Sequence, residues 1–281
     1  MAERADRFTV DGVPVFEALR NPVIDQITQH VSVRHFDTSR PLPEGTLEMM
    51  IASAQSAPTS SNFQSWSVIV IRDPEKQQKL MELCDHQAFV GQAPLLLVFC
   101  ADTYRHRYVT ARQGYKFNSD YLDLLLVSSI DSALAAQNAS LAAESMGLGT
   151  CMIGAIRNKA RDVAELLELP KGVYATVGLA VGYPARKNDV RPRLPQSVVV
   201  HEDKYSPVEL HDKDLEAYDQ RMAKTDTYVG RRVYIPSVTP EPDQDTGHYG
   251  WLEHTARRMA RGNEFRRELA AFLQDHGFSL K

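Results

Sequence analysis

The chain has 281 residues, 43% of them hydrophobic and 24% charged, with a formal net charge of -4. That length buries a full core as one large domain or two small ones, and the near-balanced charge gives no general attraction to nucleic acid, so any basic site is local. The three cysteines, Cys84, Cys100 and Cys151, are odd in number and far apart, which argues against a disulfide framework and a zinc cluster and fits a reducing cytoplasm. Cys100 and Cys151 lie in apolar surroundings, where a thiol is buried and inert.

The first residues, Met-Ala-Glu-Arg-Ala-Asp-Arg, contain acidic groups with no apolar run behind them, so no secretory signal is expected. The longest apolar run, 94–101, is too short to span a bilayer. Residues 1–22 are weakly periodic and read as an extension on the surface or on a partner subunit. Apolar spacing predicts a short helix over 23–30, followed by His30-Val31-Ser32-Val33-Arg34. In an extended segment His30, Ser32 and Arg34 share one polar face over an apolar face of Val31 and Val33. That pattern is either an ordinary half-exposed strand or the lining of an anion site, with Arg34 as a planar charged fork.

A helix is predicted from Pro43-Glu44 to Ala57-Pro58, then a loop of hydroxyl and amide groups over 59–66 and a β-branched strand over 67–71. A helix over 74–83 and a strand over 95–101 repeat the alternation. The longest helical pattern, 121–146, is rich in alanine and serine and predicts burial on most sides, in a core or a subunit interface. Gly147-Leu148-Gly149 ends it. A strand over 150–153, Asn158 as an N-cap, a helix over 159–167 and a strand over 174–181 follow. Beyond Asp189 the chain is irregular, with helices at 212–222, 251–260 and 264–276, and 225–250 reads as a mobile loop or linker. These elements divide the chain into an extension (1–22), a core (23–205) and a C-terminal helical arm (206–281) that belongs to the same domain.

Standard catalytic signatures are absent: no Gly-x-x-x-x-Gly-Lys-Ser/Thr loop, no His-Glu-x-x-His and no Gly-x-Ser-x-Gly elbow. The glycines from Gly147 to Gly154 follow a helix and open a strand, the reverse of a Rossmann turn. What remains suits the holding of a large polar cofactor. Arg191 and Arg193 flank Pro192, so a stiffened segment offers two guanidinium groups to a phosphate, unless it is simply a solvated loop. His30 and Arg34 would complete that site. Thr59 to Asn62 offers partners for a polyol, or forms a plain turn. Gly154, at a strand end, lets backbone approach a flat ring.

Together these stretches resemble the flavin-dependent nitroreductase family, and most closely its subgroup of NADPH-flavin oxidoreductases and oxygen-insensitive nitroreductases. The matching pieces run in order: His30-Val-Ser-Val-Arg-His-Phe36, Ala57-Pro-Thr-Ser-Ser-Asn-Phe-Gln64, the helix end from Ala136 to Gly149, Ile156-Arg-Asn158, Leu179-Ala-Val-Gly-Tyr-Pro184 and Arg191-Pro-Arg-Leu-Pro195. The resemblance implies an α+β fold with a mainly antiparallel central sheet flanked by helices, in an intertwined homodimer that binds FMN. It implies that His30, Ser32, Arg34, Arg191 and Arg193 hold the FMN phosphate and ribityl chain. Thr59, Asn62 and Gln87 would contact the flavin, and Ile153, Gly154 and Ala155 would lie against the reactive side of its ring. Arg231 and Arg232 resemble a basic loop that grips the NADPH 2'-phosphate.

The implied function is an FMN-dependent NAD(P)H oxidoreductase. Hydride passes from NADPH, or NADH as the alternative donor, through the flavin in a ping-pong cycle to a small acceptor: a nitroaromatic, a quinone or free flavin. The cofactor then carries the chemistry, so no catalytic side chain, metal, nucleic acid or membrane is expected. Two positions depart from the pattern: Val31 stands where the subgroup often has arginine, and Ala155 where glycine is usual. Two other readings stand beside this one, an electron-delivery module without an organic substrate of its own and a dedicated biosynthetic or dehalogenating flavoprotein with 228–249 as a lid.

Overall fold

The computed structural model describes residues 5–261 and 266–281. In chain order, α1 (Arg7–Asp11) precedes α2 (Pro22–Thr28) and α3 (Thr46–Gln55). Next come β1 (Trp66–Ile71), α4 (Pro74–Leu83), α5 (Ala88–Gln92) and β2 (Leu95–Asp102), then α6 (Tyr104–Arg112) and the long α7 (Leu122–Ser145). β3 (Gly149–Ile153), α8 (Ala160–Leu166) and β4 (Val173–Gly182) follow, and α9 (Gln196–Val199), α10 (Asp212–Ala223), α11 (Trp251–Arg261) and α12 (Leu269–Asp275) end the chain. Two compact units emerge: Met1–His30 with Asp189–Glu264, and Val31–Asn188 with Phe265–Lys281. The chain crosses between the units after residues 30, 188 and 264, so the segment read as an extension shares a unit with 189–264, and the last residues of the C-terminal arm belong to the other unit.

The second unit is built on a four-stranded sheet of order β1-β2-β4-β3, antiparallel at every pairing. β2 is buried along its whole length because helices cover both faces. Leu95, Leu97 and Phe99 meet Met50 of α3 and Ala139 of α7, whereas Leu96, Val98 and Cys100 meet Leu80 of α4, Val163 of α8 and Phe272 of α12. Side chains alternate across a strand, so two-sided burial turns the alternating signal into one continuous apolar run. The α+β, antiparallel architecture is the one the resemblance implies.

α7 packs on this sheet through small residues. Ala135, Ala136, Ala139 and Ala143 are fully buried, which lets the helix approach closely. Leu125 is buried with them, whereas Leu122, Leu126, Ile130 and Leu134, at intervals of four, are 40%, 52%, 58% and 37% exposed. Burial on most sides, as the composition predicts, therefore does not occur within one chain. The helix ends as the glycines require. Gly147 takes φ 79°, Leu148 N–H donates to Ala143 O at 3.1 Å and Gly147 N–H to Glu144 O at 3.0 Å.

Several boundaries move for local reasons. α3 starts at Thr46 because Pro43 O accepts from the Thr46 amide at 3.2 Å and hydroxyl at 2.7 Å, closing a turn first. Asn158 does not cap α8; its Oδ1 accepts from Arg266 at 3.1 Å, and Lys159 holds the cap position. α1, α5 and α6 had no periodic signal. α1 and α5 have five residues each, and α6 buries none of its side chains. The helix expected over 264–276 is α12, and residues 264 and 265 of that expectation lie outside those described.

In the first unit Tyr218 of α10 meets Trp251 of α11 edge to face at 5.6 Å. The 225–250 stretch is irregular but pinned. Asp245 accepts from Arg232 at 2.9 Å and from Arg257 at 2.6 Å, and the Val233 amide donates to the Tyr249 hydroxyl at 2.8 Å.

Candidate functional site

Ser32 forms a parallel bridge to Thr150, and Val33 N–H donates to Thr150 O at 2.8 Å. Val33 is buried, Ser32 exposed and Arg34 half-buried, so the two-residue alternation is real, although the stretch is a single bridge and not a strand. The approach depends on Gly149, where a Cβ would run into the Val33 side chain. Arg34 lies 5.9 Å from the Phe89 ring centre, and Phe89 is two residues past Gln87. Gln87 Nε2 donates to Cys84 O at 2.8 Å, just after a turn in which Asp85 and His86 hold φ of 63° and 51°. Such conformations are costly for residues with a side chain and collect at ligand-binding positions.

Buried Ile153 ends β3, and Gly154 and half-buried Ala155 open a 3-10 turn, Gly154–Arg157. A Cβ on Gly154 would meet only the tips of Arg157 at 3.5 Å and Arg266 at 3.8 Å. None of the described residues demands a glycine there, so its effect is to leave backbone without a side chain, edged by two cations, of which Arg266 donates to Gly154 O at 3.0 Å.

Thr59 and Asn62 occupy the diagonally opposite corner of this unit, before β1, while Ser32 and Thr150 flank the start of β3. β1 and β3 are the two edges of the sheet, three strand spacings or roughly 14 Å apart. Thr59 Oγ1 donates to Asp131 Oδ2 at 2.6 Å and accepts from Gln64 N–H at 2.8 Å, so the hydroxyl read as a cofactor partner is committed to its own loop. Asn62 is exposed, with φ 56°.

His30, Arg191 and Arg193 belong to the first unit. Pro192 is buried and Arg193 exposed. Partial desolvation and then the nearby Arg7 hold the Arg193 guanidinium below its usual range, against the smaller opposing effects of Tyr218 and Asp11, and no carboxylate forms an ion pair with it among the described residues. Arg231 and Arg232 line a cavity of about 400 Å³ with His254, Arg258 and Arg261. Arg232 is already bound, to Asp245 at 2.9 Å and Gly247 O at 2.7 Å. His254 stacks on Tyr228 at 4.5 Å; burial, then Arg258 and Arg231, keep its pKa below the usual 6.5.

The profile of the Nitroreductase family matches residues 27–183, and that of the Nitroreductase family, C-terminal domain, matches 191–281. The NADPH-flavin oxidoreductase of Vibrio harveyi is 39% identical over 261 residues, 93% of this chain and 100% of that one. The chain belongs to the nitroreductase family. The FMN reductase [NAD(P)H] of Bacillus subtilis is 38% identical over 216 residues, covering 76% of this nitroreductase and 85% of the relative. The solved structure of B. megaterium NfrA2 superposes with a TM-score of 0.81 at 33% identity, over 93% of this chain and 100% of that one.

Some residues that shape this nitroreductase were not singled out in its sequence. Asp131, 2% exposed in mid-α7, accepts from Thr59 Oγ1 and from the Ser60 and Ser65 amides at 3.2 and 3.1 Å. Arg105 of α6 donates to Gln64 O at 3.0 Å and Ser67 Oγ at 2.8 Å. An aspartate in the middle of an apolar helix was the available signal for the first; α6 offered none. All three cysteines are buried, and burial pushes the Cys84 and Cys100 thiols up to about 12 and raises Cys151 as well, which favours the neutral thiol.

Proposed function

We propose that the protein is a homodimeric, FMN-dependent NAD(P)H oxidoreductase of the cytoplasm that reduces small acceptors: nitroaromatics, quinones or free flavin. NAD(P)H-dependent flavin oxidoreduction is the activity of the family to which it belongs, and the observation that carries the reading onto this chain is Gly154. It offers backbone without a side chain, flanked by the Arg157 and Arg266 guanidinium groups. A flat ring fits that surface, and fixed cations beside it favour the negative charge of a reduced ring.

When bound, FMN supplies a ring that accepts a hydride from NADPH, or from NADH, and returns it to the acceptor in a ping-pong cycle. The chain's own part is binding and placement. Ser32, Arg34, His30, Arg191 and Arg193 are the groups for the phosphate and ribityl chain. Gln87 and Asn62 offer side-chain amides to the flavin, while Thr59 acts by shaping its loop. Arg231 and Arg232 are the candidates for NADPH.

Two features support the homodimer. Thr59 and Asn62 lie across the sheet from Ser32, Arg34 and Gly154, so one chain does not gather the flavin contacts that a second copy would bring. The exposed stripe of Leu122, Leu126, Ile130 and Leu134 on α7 offers apolar surface to that copy.

The purified protein should be yellow, and NADPH should bleach it anaerobically; a colourless protein that cannot be reconstituted with FMN would end this reading. Reoxidation by a nitroaromatic and a quinone, compared with free FMN, separates an enzyme from a carrier. Arg193→Ala should raise the FMN Kd about tenfold or more, the loss of one charged hydrogen bond to a phosphate.

A further inference from the structure

The segment before residue 27, which the family profile does not cover, shares a unit with the Arg191-Pro192-Arg193 loop. Within that loop Pro192 has no N–H to donate. Helix α1 ties it on both sides of the proline. Arg7 Nη1 donates to Arg191 O, and the Arg193 N–H donates to Asp11 Oδ1 at 3.0 Å. Tyr218 adds a longer contact to Pro192 O at 3.5 Å.

α1 is itself anchored. Asp6, 3% exposed, accepts from the Thr9 amide and hydroxyl at 2.9 Å each and from Arg20 at 2.7 Å, while Arg20 also binds Asp25 at 2.6 Å. At the other end Arg221 donates to Asp11 O at 3.4 Å, and Asp11 Oδ2 sits 3.4 Å from Arg7. The carboxylate of Asp11 thereby stays with Arg7 and the loop amide. Arg193 is left with a backbone that is set and a guanidinium that forms no ion pair among the described residues, Asp11 acting on it only through space. A cation already ordered, partly desolvated and crowded by Arg7 gains most from an incoming anion, because little freedom remains to be lost on binding.

We propose that the N-terminal segment is a built-in brace for the cofactor phosphate, in which Arg7 and Asp11 are positioning residues that preset Arg193. This rests on the FMN reading above and goes beyond it, since it gives the segment outside the family profile a share in cofactor retention.

The test compares FMN with riboflavin, which has the same ring and no phosphate, by fluorescence titration of the full-length apoprotein. Asp11→Ala should raise the FMN Kd about tenfold and leave the riboflavin Kd within about twofold, as expected for one lost charge-assisted bond acting through the phosphate alone. Asp11→Asn keeps an acceptor for the Arg193 amide and should restore most of the FMN affinity. An FMN Kd unchanged in Asp11→Ala, or a riboflavin Kd that rises in parallel, overturns the proposal. Should Asp11→Ala fail to fold, Arg7→Met, which removes the bond to Arg191 O, is read by the same two outcomes. Wild-type protein that binds neither ligand would overturn the FMN reading itself, before any variant is made.

Discussion

Asp131 is where a single side chain decides the shape of a ligand loop. Its carboxylate holds the 59–65 turn to α7 through three donors, one of them the amide of fully buried Ser65. In this loop Ser61, Asn62 and Gln64 are held at φ of 47°, 56° and 53°, and a loop with that much strain needs an external anchor. Asp131→Ala leaves a buried donor unmade and should cost about 3 kcal/mol in chemical denaturation. A loss below about 1 kcal/mol would mean that Arg105, together with His106, whose Nε2 lies 2.9 Å from Phe63 O, holds the loop unaided. The hydroxyls and amides of this loop were legible as a polar cluster. Their partner was not, because Thr59 and Asp131 are 72 positions apart and neither has a local signature of the other.

At the scale of elements, local signals worked where they were complete. α4 falls where expected, at Pro74–Leu83, since Asp73 accepts from the Glu75 and Lys76 amides at 2.8 and 3.4 Å and Pro74 fits the first turn. The docking of Ser32 and Val33 beside β3 needed the structure, and it depends on the empty space at Gly149. Gly149→Ala should destabilise by about 1–3 kcal/mol through overlap with Val33, and Val33→Ala in the same chain should recover part of that loss. Equal stability of Gly149→Ala and wild type would refute the close packing. α7 carries the element-level test of the dimer: Ile130→Asp, on its exposed stripe, should shift sedimentation toward the monomer, and an unchanged profile would place the interface elsewhere.

For the molecule as a whole, acid acts in two windows. Burial lowers the pKa of His254 and His276 below 6.5. The unfolded chain therefore takes up these protons first, and the stability from the neutral rings is present above pH 6.5 and lost as pH falls below it. Asp6, lowered chiefly by the Thr9 amide, and Asp245, lowered chiefly by Arg257, contribute above their ordinary 3.8 and lose that contribution at lower pH. The Tm should fall as pH drops from 7.5 to 5 and fall again below 4; a Tm that rises over the first interval would contradict the histidine assignment.

The sequence by itself determined the strands, most of the helices, the inert cysteines and membership of the family, because capping, period and ordered motifs are written within a few neighbouring residues. Tertiary structure decided the rest. It put Thr59 and Asn62 across the sheet from Ser32 and Arg34, turned Leu122, Leu126, Ile130 and Leu134 of α7 outward, neutralised Arg232 with Asp245, and set α1 against the Arg191-Pro192-Arg193 loop. Each of these is a contact between residues distant in the chain, whose energy depends on geometry that only folding supplies.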